Sequence, residues 1–328
     1  MQPDVTFLVA AYDARATIAR AIDSALASQG VSFEIVVADD ASRDDTASVV
    51  EAIGDERVRL VRLSRNSGPG GARNAGLDEA RGRYAAVLDA DDTVHPDRMA
   101  RLVALLEESG AAAAVDGLEV QSGSAPVAPM FTQGELDERP TLTFPDYVRA
   151  NRLFAGGFNF GYLKPVFRRA FLQEHGIRYP EEIRIGEDYQ FLATVLAKGG
   201  ECRVEPRVGY TYHVTAGSIS RVLHLHHVEA IIAGDRAFLS QHRIDAETAR
   251  AYEERATSLR LAASFLTMVE ALKRRDAPAA LGAAIRDPAA LLHFRMPIAK
   301  RLASLRPHRA AVAGPDIHPA ESRETLRP

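Results

Sequence analysis

Asp89-Ala90-Asp91-Asp92-Thr93 places three carboxylates within four residues, directly after the apolar run Tyr84–Leu88. Carboxylates this close repel one another unless something neutralises them. A divalent cation does so, and Mg²⁺ or Mn²⁺ prefers oxygen ligands. It would also bridge to a diphosphate, which makes the carboxylates of this segment candidate metal ligands. A second acidic group, Asp39-Asp40-Ala41-Ser42-Arg43-Asp44-Asp45, follows the apolar run Phe33–Ala38. Asp44 and Asp45 stand where a helix cap is expected. Asp39 and Asp40 precede it, and either can accept from a base N–H or a ribose hydroxyl. A third group, Gly186-Glu187-Asp188, opens a helical pattern. Paired acids there are caps or, where the junction faces a site, a general base. His213, in the polar stretch Tyr210–Arg221, is a candidate third metal ligand or a histidine of the surface.

Between the first two groups lies Arg65-Asn66-Ser67-Gly68-Pro69-Gly70-Gly71-Ala72-Arg73-Asn74-Ala75-Gly76. Small residues at a helix start let a ligand approach the backbone, where anions are favoured. Arg73 adds a guanidinium suited to phosphate.

The elements that must position these groups alternate. Val5–Ala10, Phe33–Ala38, Arg57–Leu63 and Tyr84–Leu88 read as strands, the first two as buried parallel ones. Ile18, Ile22, Ala25 and Leu26 recur at helical spacing. Asp44–Ile53, Gly70–Ala80 and Pro96–Ser109 read as helices, the last with Met99, Leu102, Val103 and Leu106 on one stripe. This rhythm implies an open α/β sheet with right-handed crossovers, whose ligands bind outside the carboxyl ends of the strands. Residues 121–145 read as loop, Phe167–His175 and Glu187–Lys198 as helices, and Val204–Val214 as one or two short strands. Helices rich in Ala, Leu, Arg and Glu follow from about Val222.

Composition removes several classes. The chain of 328 residues has a net charge of -4 and one cysteine, Cys202. It is no nucleic-acid-binding polycation and forms no internal disulfide; a reducing compartment is the expectation. No apolar run approaches the length of a membrane span, and the first residues lack the basic start of a signal peptide. The turn after the first strand, Ala10–Arg15, has no glycine, and no GxxxxGK[ST] occurs, so neither a dinucleotide fingerprint nor a P-loop is present.

Taken in order, VTFLVAAYDA, EIVVADDASRDDT, NSGPGGARNAGL, YAAVLDADD, GEDYQFLATVLAKG and GSISR resemble the inverting family 2 glycosyltransferases of the GT-A fold, and among them the bacterial exopolysaccharide glucosyltransferases of the succinoglycan type. The resemblance covers about residues 1–221. It implies a UDP-sugar donor, with Asp40 accepting from the uracil, Asp39 close by, and Ala11 and Tyr12 lining the base pocket. Arg73 would contact the nucleotide or its diphosphate. Asp89, near the ribose, and Asp91, on Mn²⁺ or Mg²⁺, would form the DxD pair around Ala90. Asp188 would be the base, supported by Glu187. Ala90 and Ala41 depart from the commoner Ser and Gly, and both are small.

The expected fold class is thus α/β, an open, mostly parallel GT-A sheet flanked by helices, with a helical C-terminal extension. Residues 1–116 would form a nucleotide-sugar half and 117–221 an acceptor half. Residues 222–306 would be helical and 307–328 a mobile tail. The expected reaction moves a hexose, glucose by the resemblance, to a hydroxyl of a glycan or polyprenyl-linked saccharide, on which Phe154, Phe158, Phe160 and Tyr162 would stack unless they are core. A haloacid-dehalogenase-type phosphatase with Asp89 as nucleophile, and a non-catalytic sugar-nucleotide or glycan-binding protein, are the alternatives. The expected location is cytoplasmic. Leu291, Phe294, Ile298, Leu302 and Leu305, with Arg295, Lys300, Arg301, Arg306 and Arg309, form a basic amphipathic pattern over 291–309. Such a pattern suits an anionic membrane surface or a helix packed on the catalytic domain.

Overall fold

Every residue of the run Phe33–Asp39 is buried, because this strand has neighbours on both edges and helices over both faces. The computed structural model describes residues 2–154, 160–214 and 223–295. Its first half is β1 (Val5–Ala11), α1 (Ile18–Leu26), β2 (Phe33–Asp39), α2 (Thr46–Ala52), β3 (Val58–Arg62), α3 (Gly68–Glu79), β4 (Tyr84–Val87), β5 (Thr93–Val94) and α4 (Arg98–Ser109). The strands β3-β2-β1-β4 lie side by side and parallel. Register sets Ala11 beside Asp39 and Leu8 beside Val87, so β1, β2 and β4 present their carboxyl ends on one rim. Asp39 and Asp40 stand at the β2 end of that rim, and Asp89 follows the β4 end.

The second half departs from the loop-rich expectation. β6 (Ala113–Ser122), β7 (Ala128–Pro129), α5 (Gln133–Asp137) and α6 (Phe144–Ala150) occupy much of 113–150. Thr132 and Glu135 form a capping box at α5, and Thr143 caps α6. These are the local signals that override the polar composition. The expected helix Phe167–His175 divides into β8 (Val166–Arg168) and α7 (Arg169–Glu174). α8 (Glu187–Ala197) follows, and then β9 (Cys202–Val214), one long strand rather than two. The sheet continues β4-β8-β6-β9-β5, and here only β6–β9 is parallel. The sheet is therefore mixed, and β6 passes through residues 116 and 117 with its register against β9 shifting on both sides of Gly117.

The C-terminal region is helical as expected: α9 (Leu225–Gln241), α10 (Ala246–Lys273) and α11 (Ala277–Arg286), followed by a 3₁₀ turn over Pro288–Phe294. Phe238, Ala251 and Tyr252 join the main core, while Leu259, Phe265 and Leu266 centre a second one. Phe154 packs edge-on against Phe265 in that second core, and Phe160 against Phe131 in the first. Both are thus packing residues; Phe158 lies outside the described residues. No described helix is long and apolar enough to cross a membrane.

Candidate functional site

Asp89 leaves the end of β4 with its two carboxylate oxygens on two different cations. Arg73 Nη2 donates to Oδ1 at 2.8 Å, and Lys164 Nζ lies 2.6 Å from Oδ2. Arg73 also reaches α8: its Nη1 donates to Glu187 Oε1 at 2.9 Å and lies 3.0 Å from Asp188 Oδ1. Lys164 Nζ is 3.6 Å from Asp188 Oδ2. Side chains from α3, β4, α8 and the turn before β8 thus make one buried ionic cluster.

Local sequence explains how it is assembled. Gly68 adopts φ +78°, and a Cβ on Gly70 would meet the Pro180 carbonyl at 2.6 Å. The glycines therefore let α3 start sharply and admit the 179–181 segment. Asn74 binds that segment at both ends of its amide, donating to the Tyr179 carbonyl and accepting from its N–H. Tyr179 then stacks on Phe191 of α8, ring centroids 3.9 Å apart. These contacts bring the acids of α8 to Arg73. Gly186 caps α8 in the left-handed region, φ +91°, and the helix N-terminus favours the two acids that follow.

Burial opposes ionisation of Asp89, but the Lys164 and Arg73 charges outweigh it and hold the carboxyl well below its usual range. Burial pushes Glu187 up to about 7, the adjacent Asp188 charge adds to this, and Arg73 offsets part. Burial would strip Lys164 of its proton, but Asp89 and Asp188 keep it protonated. Asp188 is the more accessible of the paired acids, its side chain 21% exposed against 10% for Glu187.

Lys164 was absent from the sequence reading. It stands alone in the apolar run Gly161–Phe167, and a cation in such a run needs an acid partner if it is buried. That was the available signal. Its carbonyl accepts from Arg98, which is fully buried and paired with Asp116 at 2.9 Å.

The other expected residues spread around the rim. Asp40 accepts from the N–H groups of Ser67 and Gly68 at 2.6 and 2.8 Å, so the anion at the start of α3 is this side chain. Burial raises its pKa, and those two donors counter the rise. Asp39 Oδ1 accepts from Ser42 N–H at 3.2 Å. Ala11 is buried and its carbonyl accepts from Asp40 N–H, while Tyr12 is 40% exposed with the Arg43 guanidinium 5.4 Å above its ring. Ala90 is buried.

Asp92 is fully buried; it accepts from Tyr210 Oη and His213 N–H, both at 2.8 Å. Burial, reinforced by Asp89, raises its pKa well above the usual range, against the pull of Lys164. His213 Nε2 lies 3.0 Å from Thr93 Oγ1. Burial, with Arg20 nearby, lowers its pKa, which keeps the ring neutral. Among the described residues, no three His, Cys, Asp or Glu side chains converge as a ready metal centre. The carboxylate chemistry still suits a hard cation. Asp92 is engaged with Tyr210 and His213, Asp89 with two cations, and Asp91 is half-buried in the same segment.

Comparison with known proteins gives the family and the fold. A family model described as "Glycosyl transferase family 2" matches residues 6–171. The succinoglycan biosynthesis protein ExoO of Rhizobium meliloti (strain 1021) is 52% identical over 303 residues, covering 92% of this chain and 87% of that protein. S. aureus TarS 1–349, solved in complex with UDP-GlcNAc, shares the fold at a TM-score of 0.59 and 16% identity, over 87% of this chain and 92% of that one. The mannosyltransferase PcManGT from Pyrobaculum calidifontis, in complex with GDP-Man and Mn²⁺, does so at 0.60 and 19% identity, over 92% of this chain and 81% of that one. Neither the phosphatase nor the non-catalytic alternative finds support in them.

Proposed function

The chain belongs to glycosyl transferase family 2, and from that premise we propose that it moves a hexose from a UDP-sugar to a hydroxyl of a glycan or lipid-linked saccharide during exopolysaccharide assembly, with inversion at the anomeric carbon. The observation that carries this reading is the ionic cluster that joins Asp188 to Asp89 through Arg73 and Lys164. It sets an accessible carboxylate beside the rim where a nucleotide-sugar binds in an α/β sheet. The likeness to ExoO supports the exopolysaccharide setting.

Asp188 takes the proton of the acceptor hydroxyl as that oxygen bonds to the anomeric carbon and the bond from that carbon to the diphosphate oxygen breaks, UDP leaving with the electron pair; this is a general-base role. Arg73 and Lys164 hold it in position. Glu187, raised to about 7, is the member of the pair that gives up its charge, so it supports Asp188 rather than competing with it. Asp40, with Asp39, Ala11 and Tyr12, forms the base-facing wall; two N–H donors fix the Asp40 carboxylate there while leaving it lone pairs to accept with. A divalent cation, held by Asp91 with Asp89 nearby, would supply positive charge to the diphosphate. His213 is a candidate third ligand of that cation. The reading places the enzyme at the cytoplasmic side, where UDP-sugars are made.

The test is a donor screen by nucleotide release, with UDP-glucose first, other UDP-hexoses and GDP-mannose alongside, each with Mn²⁺ or EDTA. Mn²⁺-dependent release of UDP from one UDP-hexose is expected. Release from GDP-mannose alone would overturn the donor assignment, and a product that keeps the donor's anomeric configuration would overturn inversion.

A further inference from the structure

We propose that the outer surface formed by the end of α10, by α11 and by the 3₁₀ turn after it docks on the anionic phospholipid headgroups of a bilayer. Among the described residues, eight large apolar side chains are exposed, and Leu272, Leu281, Ile285, Leu291 and Leu292 are five of them. They fall on three consecutive elements that pack on one another. In α11, Leu281 and Ile285 lie one turn apart and are 61% and 71% exposed, while Ala283 between them is buried. The helix therefore presents its larger apolar residues to water and packs inward with a small one, the reverse of a helix on a soluble core.

The exposed charge around these residues is positive but for one acid. Lys273, Arg274, Arg275, Arg286 and Arg295 are exposed over the same stretch. Asp276 is the one exposed acid there, and its carboxylate caps α11 by accepting from Ala279 N–H. Asp287 is buried and paired with Arg260. Within the described residues, no salt bridge engages Arg274, Arg275 or Arg286. The chain as a whole carries -4, so this is a basic apolar surface on an acidic protein. A two-fold contact with a second copy would set these cations against their own images. A nucleic acid would leave Leu281 and Ile285 without a partner. An anionic bilayer surface satisfies both properties at once: leucines and an isoleucine enter the headgroup boundary and the basic side chains reach the phosphates.

The surface differs from the one the sequence pattern indicated. Phe294, expected beside Leu291 on one apolar face, turns inward and packs on Phe265 with ring centroids 4.9 Å apart. Residues 296–309 of that pattern lie outside the described residues. The inference extends the acceptor class proposed above, since a lipid-borne saccharide requires the enzyme at a membrane. It rests on that reading for its purpose only, because bilayer binding is measured without donor or acceptor.

The experiment is flotation of the full chain with phosphatidylglycerol–phosphatidylcholine vesicles or phosphatidylcholine alone, at low and high salt. Wild type is expected to bind the anionic vesicles and to release with salt, since each basic residue near such a surface contributes about fivefold. Leu281→Glu/Ile285→Glu is expected to bind at least about tenfold more weakly. Lys273→Glu/Arg274→Glu/Arg275→Glu is expected to lose both affinity and salt dependence. All five of these residues are exposed, so unchanged melting and unchanged donor hydrolysis verify the fold. The proposal is overturned if wild type ignores anionic vesicles. It is also overturned if Lys300→Glu/Arg301→Glu/Arg306→Glu/Arg309→Glu abolishes binding while the Leu281/Ile285 variant binds normally. A wild-type dimer that Leu281→Glu/Ile285→Glu converts to monomer would equally overturn it, assigning the surface to a second copy.

Discussion

The cluster at the strand ends and the one in the C-terminal helices are built from the same kinds of group, both buried, yet their charges balance differently. In the helices, Arg255 Nε donates to Asp235 at 2.7 Å, its Nη1 donates to the Asn151 carbonyl, and its guanidinium lies 4.0 Å from the Tyr189 ring centroid. One cation meets one carboxylate, and the remaining contacts are neutral. At the strand ends, Arg73 and Lys164 meet Asp89, Glu187 and Asp188. Two cations face three acids, so the cluster retains proton-accepting capacity. A balanced buried pair fastens one part of the chain to another; an unbalanced one is prepared for chemistry. The two are neighbours, because Tyr189 follows Asp188 on α8.

The comparison breaks first at Asp188. Asp188→Asn removes the proposed proton acceptor and keeps the shape, so transfer should fall by roughly 10²–10⁴-fold with donor affinity retained. Nucleotide binding by calorimetry beside turnover reads both. Collapsed donor affinity with surviving turnover would move Asp188 to the donor site and leave the base to another group. Asp91→Asn comes next. It should cost on the order of 10²-fold in Mn²⁺-dependent transfer while melting stays unchanged. Near-normal turnover of that variant in EDTA would remove the metal from the mechanism.

Arg255 sharpens the other side. Arg255→Ala leaves Asp235 buried and uncompensated, which should destabilise the fold by about 3–5 kcal/mol. Arg255→Met/Asp235→Leu removes both charges and should recover most of that loss in a thermal melt. If the pair only fastens, the double variant keeps its kcat. A fall in kcat at unchanged donor KM would show that the contact with Tyr189 also holds Asp188 in place.

Legibility followed how local each signal was. β1, β2 and β4 were readable because a parallel strand buried on both faces is a short apolar run. β6 was not, because Ala113 and Ala114 are poor strand formers held in the sheet by β8 and β9, which come later in the chain. The acids were legible as types in sequence. Their joining was not: the link runs through Lys164, Tyr179 and Arg73, residues from distant parts of the chain. The Gly-rich turn was recognised as a helix start, but its glycines admit Pro180 and its N–H groups serve Asp40.

Glu187 offers the smallest effect and the closest look at the imbalance. Its carboxyl is raised from an ordinary 4.5 to about 7, first by burial, then by Asp188, with Arg73 opposing. Below pH 4.5 the folded and unfolded chains both keep this proton, and the group's contribution is fully present. Between about 4.5 and 7 the unfolded chain loses the proton while the folded chain retains it, so stability falls as pH rises and the loss is complete above 7. Glu187→Gln removes this titration and leaves a carbonyl oxygen for Arg73. Wild type should therefore lose on the order of 1–3 kcal/mol relative to the variant between pH 5 and pH 8. Urea unfolding of both proteins at each pH reads the difference, and other titrating groups cancel in the subtraction. Parallel curves would mean that Arg73 and Lys164 neutralise all three acids, and the contrast with the Arg255 pair would disappear.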